Sequence, residues 1–139
     1  MQQLVITVGL PASGKSTFSR NWVNEAPKTR IRVCRDDIRR MLGPYWVPTR
    51  EDLVTSIERE TVRTALMQGF SVVLDATNFQ CDWAEKMLKN MMTTKAEIKI
   101  EDFTHVSLEE CIARDAFRDK SEQVGEEVIR RFHEKYIKK

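Results

Sequence analysis

A parallel β-sheet between two layers of helix is the fold this sequence predicts, and three observations carry the prediction. Short apolar, β-branched runs alternate with stretches of helical periodicity, which implies βαβ crossovers and a parallel sheet. The first run, Leu4-Val5-Ile6-Thr7-Val8, is nearly continuous in its hydrophobicity, as a strand buried on both faces should be. The 139 residues are 41% hydrophobic and 32% charged, an ordinary balance for one domain, residues 1–139, with a real core.

Each element has its own local signal. Gly9 closes the first strand, and a loop leads into a helix from residue 15 to about 23. Residues 31–34 (Ile-Arg-Val-Cys) make a second strand, followed by a brief helix over 36–41 that Gly43-Pro44 stops. Pro48-Thr49-Arg50 restarts the chain into a longer helix whose Leu53, Val54, Ile57, Val62, Ala65 and Leu66 fall on one face. Gly69 ends it in the C′ position.

Residues 71–75 (Ser-Val-Val-Leu-Asp) are the third strand. Asp82-x-x-Glu85 reads as a capping box opening an amphipathic helix marked by Trp83, Met87, Leu88 and Met91. Residues 98–103 alternate as a half-exposed strand, and Ser107-Leu108-Glu109-Glu110 opens the next helix with a second capping box. A last helix carries Val128, Phe132 and Tyr136 on one stripe. No internal repeat, low-complexity tract or linker interrupts the series.

Bulk properties exclude several classes. A net charge of +2 is too small for a protein that coats DNA, so any polynucleotide contact must be a local basic cleft. Cys34, Cys81 and Cys111 are odd in number and far apart, with neither metal-type spacing nor a disulfide framework, and read as reduced core thiols. The N-terminus lacks a basic, cleavable leader, and no apolar stretch nears the ~20 residues of a membrane helix. A soluble, intracellular, cytoplasmic protein is expected, with no membrane association and no obligate protein partner.

The chemistry begins at Gly9-Leu10-Pro11-Ala12-Ser13-Gly14-Lys15-Ser16, a full match to GxxxxGK[ST], with Thr17 adding a second hydroxyl. Such a loop turns tightly enough for successive backbone N–H groups to point at phosphate oxygens, and the helix after it presents its positive end to the same anion. Lys15 supplies a mobile charge for the β- and γ-phosphates, and the Ser16 hydroxyl is a Mg²⁺ ligand. ATP with Mg²⁺ is the expected cofactor pair.

A kinase needs in addition an acidic group near the γ-phosphate. Arg35-Asp36-Asp37-Ile38-Arg39 follows the second strand, and ligands of open parallel sheets bind beyond the strands' carboxyl ends. Adjacent helical residues diverge by about 100°, so only one aspartate of the pair can aim at the phosphate; alternatively the pair simply favours the first turn of the helix.

GLPASGKST, VCRDDIR and VVLDATN, in that order and followed by a helix carrying Arg114 and Arg118, closely resemble the 5′-kinase domain of the phage polynucleotide kinase family. The resemblance implies Asp36 as general base for the attacking hydroxyl and Arg39 as the grip on the phosphate 3′ of the acceptor nucleotide. It implies Thr77 as an aid to that grip and Asp75 as the group orienting the arginine, although the family's Asp-Thr-Asn here carries one extra residue, Asp75-Ala76-Thr77-Asn78. Arg114 and Arg118 would sit on a lid over the phosphates, offsetting charge on the transferred group. Spacing alone also allows Arg114 to pair with Glu110. Nothing like the aspartate-rich phosphatase motif of the phage enzyme occurs before Lys139, so no 3′-phosphatase activity is expected.

The expected function is transfer of the ATP γ-phosphate to a polynucleotide hydroxyl, the 5′-OH of DNA or RNA. A hydroxymethyl pyrimidine in DNA or a small-metabolite alcohol is the alternative acceptor, and a non-catalytic nucleotide-binding protein is the alternative of another class. Tyr45 and Trp46 could line the acceptor cleft, whereas Trp22 and Trp83 read as core or rim.

Overall fold

The computed structural model describes residues 1–91 and 95–138, so Lys139, the end of the expected domain, lies outside the described residues. Four parallel strands, β1 (Gln3–Val8), β2 (Arg30–Cys34), β3 (Ser71–Asp75) and β4 (Glu97–Asp102), form one sheet in the order β2-β3-β1-β4. The helices are α1 (Lys15–Glu25), α2 (Arg35–Met41), α3 (Glu51–Met67), α4 (Asp82–Asn90), α5 (Leu108–Ala116) and α6 (Glu126–Phe132). A 3₁₀ turn (Pro48–Arg50) leads into α3, and a π-helical turn (His133–Ile137) follows α6. The predicted α/β fold with a parallel sheet is the observed one.

Pleating sorts the core. Leu4 and Ile6 of β1 and Val72 and Leu74 of β3 point to the face covered by α2, α3 and α4, where Ile38, Val54, Val62, Leu66 and Ala84 meet them. Val5 and Val73 point the other way, onto Trp22, Phe18 and Val23 of α1. A third cluster of Leu10, Cys111 and Ile129 attaches α5 and α6 to the phosphate loop. The pairings Ile6–Leu74 and Cys34–Asp75 level the carboxyl ends of β1, β2 and β3, bringing Gly9, Asp75 and Arg35 to one edge.

Several local expectations are corrected. Leu53 is 49% exposed, because α3 turns Val54, Glu58, Val62, Ala65 and Leu66 inward and leaves the neighbouring position facing water. Gly69 (φ +93°) does end α3, in a Schellman motif: its N–H donates to the Leu66 carbonyl and that of Phe70 to Ala65. Asp82 is the first helical residue of α4, and Cys81 is the cap with no side-chain bond, so the first capping box does not form. The second does in part, since Ser107 Oγ accepts from Glu110 N at 3.1 Å.

At the other end of the chain, Ile129 anchors α6, while Phe132 and Tyr136 stack with Phe79 across the helix-to-π-turn junction. β4 is an edge strand, so Ile98 and Ile100 stay exposed. Cys34 and Cys111 are buried as expected but Cys81 is only half-buried, and all three are free. Burial pushes the Cys34 thiol up to about 12 and the Cys81 thiol up to about 11. Among the described residues no helix is long and apolar enough to cross a membrane.

Candidate active site

The phosphate loop is built by close approach. A Cβ on Gly9 would stand 2.8 Å from Ser13 Oγ and 2.9 Å from Phe103 Cβ, so only glycine fits between the loop and the end of β4. Ala12 takes φ +65°, a left-handed conformation that costs a non-glycine residue about 1 kcal/mol. Gly14, at φ +106°, is the cap of α1. Ser13 is buried and, together with Pro11 and Thr17, completes the predicted loop at the carboxyl edge of the sheet.

Lys15 is buried rather than free to move. Its ammonium donates to the Leu10 carbonyl at 2.5 Å and to Ser13 Oγ at 3.3 Å, curling back into the loop where a phosphate would lie. Burial lowers its pKa from 10.5 to about 8, while the carboxylates of Asp75 and Asp36 pull it upward. The charged form is therefore disfavoured in the folded state: between these two values the unfolded chain holds more protons, and below about 8 the fold bears the full cost of the buried charge.

A phosphate brought to this amine would raise its pKa again. Nucleotide binding is expected to take up close to one proton at about pH 9 and none at about pH 6, measurable by calorimetry in buffers of different ionisation enthalpy. Lys15→Ala should lose the uptake.

Asp75, at the end of β3 and 3% exposed, accepts a hydrogen bond from Ser16 Oγ at 2.9 Å. The expectation that Asp75 orients Arg39 is corrected. Its arginine partner is Arg32 of β2, whose Nε donates to Asp75 Oδ2 at 2.8 Å. Sequence reasoning missed Arg32, because an arginine in a strand carries no sign of its partner. Among the described residues no group of three or more His, Cys, Asp or Glu gathers to cage a metal. A serine hydroxyl backed by a buried carboxylate suits Mg²⁺, which commonly takes one or two protein ligands and fills its octahedron with water and phosphate oxygens. Ser16 would hold it, with Asp75 behind.

The acidic pair after β2 divides as helical geometry requires. Asp37 points back to Arg32 (2.8 Å) and Arg40 (3.3 Å). Asp36 points toward the cleft, where Oδ1 accepts from Tyr45 Oη at 2.8 Å and from Arg39 at 2.7 Å. Arg39 is aimed by Glu51, which accepts its Nε at 3.0 Å and a terminal nitrogen at 2.6 Å, a two-point fork across α2 and α3. Burial acts to lower the Arg39 pKa, but the Glu51 hydrogen bonds and the Asp36 charge outweigh it and raise the value. Glu51 and the Arg35–Glu58 pair (3.0 Å) that also bolts α2 to α3 were missed, since neither sits at a helical spacing from its partner.

Arg50 donates to the Leu42 and Pro44 carbonyls and fastens the loop between α2 and the 3₁₀ turn. On that loop Trp46 is 59% exposed, and the Arg39 guanidinium lies 5.6 Å from its ring centre and 5.7 Å from that of Tyr45. Tyr45 therefore stands against Asp36, and Trp46 against the Arg39 guanidinium that pairs with it. Trp22 is core, and Trp83 packs under Arg59.

The turn after β3 is tied to the phosphate loop by its backbone. Gly9 N–H donates to the Thr77 carbonyl at 3.1 Å. Asn78, in the left-handed region at φ +51°, donates to the carbonyls of Thr7, Leu74 and Ala76. Asn78 thus laces β1 to β3, and Thr77 lies half-buried at the loop's flank.

On the far side, Arg114 pairs with Glu110 at 3.0 Å and also comes within 3.8 Å of where a Cβ on Gly14 would stand. It is both an intrahelical ion pair and a neighbour of the phosphate loop. Arg118 follows α5, 3.8 Å from Asp115, and its charge pushes the Lys15 pKa down. Asp115, buried and unpredicted, accepts the N–H groups of Val124 and Gly125 at 2.9 Å each and so fixes the link from α5 to α6.

A phosphate loop with its serine on a strand-end carboxylate, faced by a second carboxylate and two arginine-bearing helices, defines a kinase-like P-loop domain. The chain belongs to the AAA-domain family, whose profile matches residues 4–138.

It is similar to the L-seryl-tRNA(Sec) kinase of Methanococcus maripaludis, with 26% identity over 138 residues, 96% of this chain and 52% of that protein. Two structures of the Pnkp1/Rnl/Hen1 complex, one described as an RNA repair complex, contain a chain similar to it. One has 30% identity and a TM-score of 0.67 over 86% of this chain and 40% of that one; the other has 29% and 0.73 over 94% and 42%. A candidate kinase from Chloroflexus aurantiacus, 17% identical with a TM-score of 0.61 over 92% of this chain and 74% of that one, shares the fold. The chain spans about half the length of the curated relative it matches.

Proposed function

We propose that this protein transfers the γ-phosphate of ATP to a hydroxyl at the 5′ end of a nucleic acid, DNA or RNA. The observation that carries the reading is the Asp36 carboxylate in the cleft, held by Tyr45 and by an arginine that Glu51 aims at the same spot. A pure nucleotide binder has no use for a base there. The likeness to a chain of an RNA repair complex and to a kinase named for a seryl-tRNA supports an acceptor carried on nucleic acid.

In this reading Lys15 and the loop N–H groups hold the donor, and Ser16 would hold a Mg²⁺ ion that would offset the phosphate charge. Asp36 takes the proton of the attacking hydroxyl. Arg39 reaches the phosphate 3′ of the acceptor, with Thr77 on the flank of the cleft. Because Arg39 grips Asp36 in the free protein, an acceptor phosphate that draws Arg39 off also releases the carboxylate to act as base.

Two outcomes test the acceptor side. A nucleoside 3′-monophosphate should be a better substrate than the bare nucleoside by about ten- to a hundred-fold in kcat/KM, and Arg39→Ala should erase most of that preference. Labelling of a 5′-phosphorylated oligonucleotide carrying a hydroxymethyl pyrimidine, or of seryl-tRNA, with none of a plain 5′-hydroxyl oligonucleotide, would overturn the 5′-end assignment while leaving phosphoryl transfer intact.

Arg118→Ala tests the lid. Placed over the transferred group, a cation matters most while charge is redistributing, so kcat should fall by about 10²-fold or more while nucleotide affinity changes several-fold at most. Equal losses in both would make Arg118 a ground-state phosphate clamp.

A further inference from the structure

We propose that Arg32 is a built-in counter-ion on the metal side of this site, competing with the divalent cation for Ser16 and Asp75 and thereby setting how much free metal the protein requires. The inference rests on the reading of Ser16 as the metal-side hydroxyl.

Asp75 is a buried carboxylate, and a buried charge is tolerated only when paired. Its partner here is Arg32, which puts Nε and a terminal nitrogen on Asp75 Oδ2, each at 2.8 Å, and a terminal nitrogen 3.4 Å from Ser16 Oγ. The guanidinium thus stands against the two groups that would face a cation. Positive charge there neutralises Asp75 when no metal is present and repels a metal when one arrives.

A way out is provided. The remaining terminal nitrogen of Arg32 is 2.8 Å from Asp37 Oδ2, and that carboxylate is half-exposed. Arg32 is therefore stretched between a buried acid that a metal would share and a surface acid that would keep it paired after retreat. Among the described residues Lys15 also interacts with Asp75 from the phosphate side, and the Cys34 thiol lies beside both Arg32 and Asp75.

Two variants give opposite signs. Arg32→Met removes the competitor: the free Mg²⁺ giving half-maximal nucleotide affinity should fall by about ten-fold, from the loss of one like charge a few ångströms from the metal. The same variant leaves Asp75 unpaired, so in chelator it should melt about 5–10 °C below the native protein, with most of that gap closed by Mg²⁺ and ATP. Asp37→Asn removes the surface partner without touching the pair with Asp75. It should raise the required Mg²⁺ several-fold and, being at an exposed position, should fold if Arg32→Met does not.

Nucleotide affinity is read by titration at fixed ATP and buffered Mg²⁺, so turnover is not needed. If both variants keep the native Mg²⁺ dependence, or if Arg32→Met raises the requirement, the proposal fails and Arg32 is a structural ion pair or an aid to the metal. If the native protein itself binds ATP independently of Mg²⁺, the reading of Ser16 fails along with it.

Discussion

Replacing Lys15 with alanine is expected to reduce phosphoryl transfer by about 10³-fold or more, to the floor of a radiolabel-transfer assay under single-turnover conditions. On the proposed reading the ammonium is the cation that the loop offers to the β- and γ-phosphates, and it is already drawn into the loop by Leu10 and Ser13. Nucleotide affinity should drop as well, because the interaction exists in the ground state. The fold should survive. Burial penalises the lysine's charge, so alanine removes that cost together with two hydrogen bonds, and the melting temperature should move by only a few degrees. Near-native turnover in this variant would falsify the phosphate-loop assignment.

Asp36→Asn carries the second-largest expected effect. Asparagine keeps the shape of the side chain and can still accept from Tyr45, so the cleft should hold its geometry. What is lost, on the proposed assignment of Asp36 as base, is proton acceptance, which is typically worth about 10²–10⁴ in rate. The loss should appear in kcat with little change in ATP affinity.

Asp37 supplies the contrast. It lies one residue away with the same chemistry, but its carboxylate faces Arg32 and Arg40 rather than Tyr45 and Arg39. At saturating Mg²⁺, Asp37→Asn should stay within a few-fold of native turnover. The reverse order of damage between the two variants would assign the base to Asp37.

The motif residues show how far reading along the chain reaches. Gly9 to Ser16 are consecutive, and their backbone geometry is a property of the segment itself, so the loop could be read off without knowing what surrounds it. The strands and α3 were legible for a related reason: burial on one or both faces leaves a period of two, a continuous run, or a 3.6-residue stripe. The failures are equally local in origin. Leu53 sits one position off the buried stripe, and Asp82 sits one position inside its helix, errors of about one residue that periodicity does not resolve.

The sequence by itself therefore determined the class of fold, the phosphate loop, and the segments after β2 and β3 that bring Asp36 and Asp75 to the carboxyl edge, but gave no sign of Arg32 there. Asp36–Arg39 and Glu110–Arg114 each pair within one helix, at i,i+3 and i,i+4, but tertiary structure alone decided the long-range pairs. Ser16 and Asp75 are 59 residues apart, Arg32 and Asp75 are 43 apart, and Arg39 reaches Glu51 across 12. Each pairing depends on strand register or on how α2 docks against α3, and a charged residue carries no periodic mark of the partner it will meet. Hydrophobic burial is a one-body preference written along the chain, whereas an ion pair is a two-body relation that exists only once the backbone has brought its ends together.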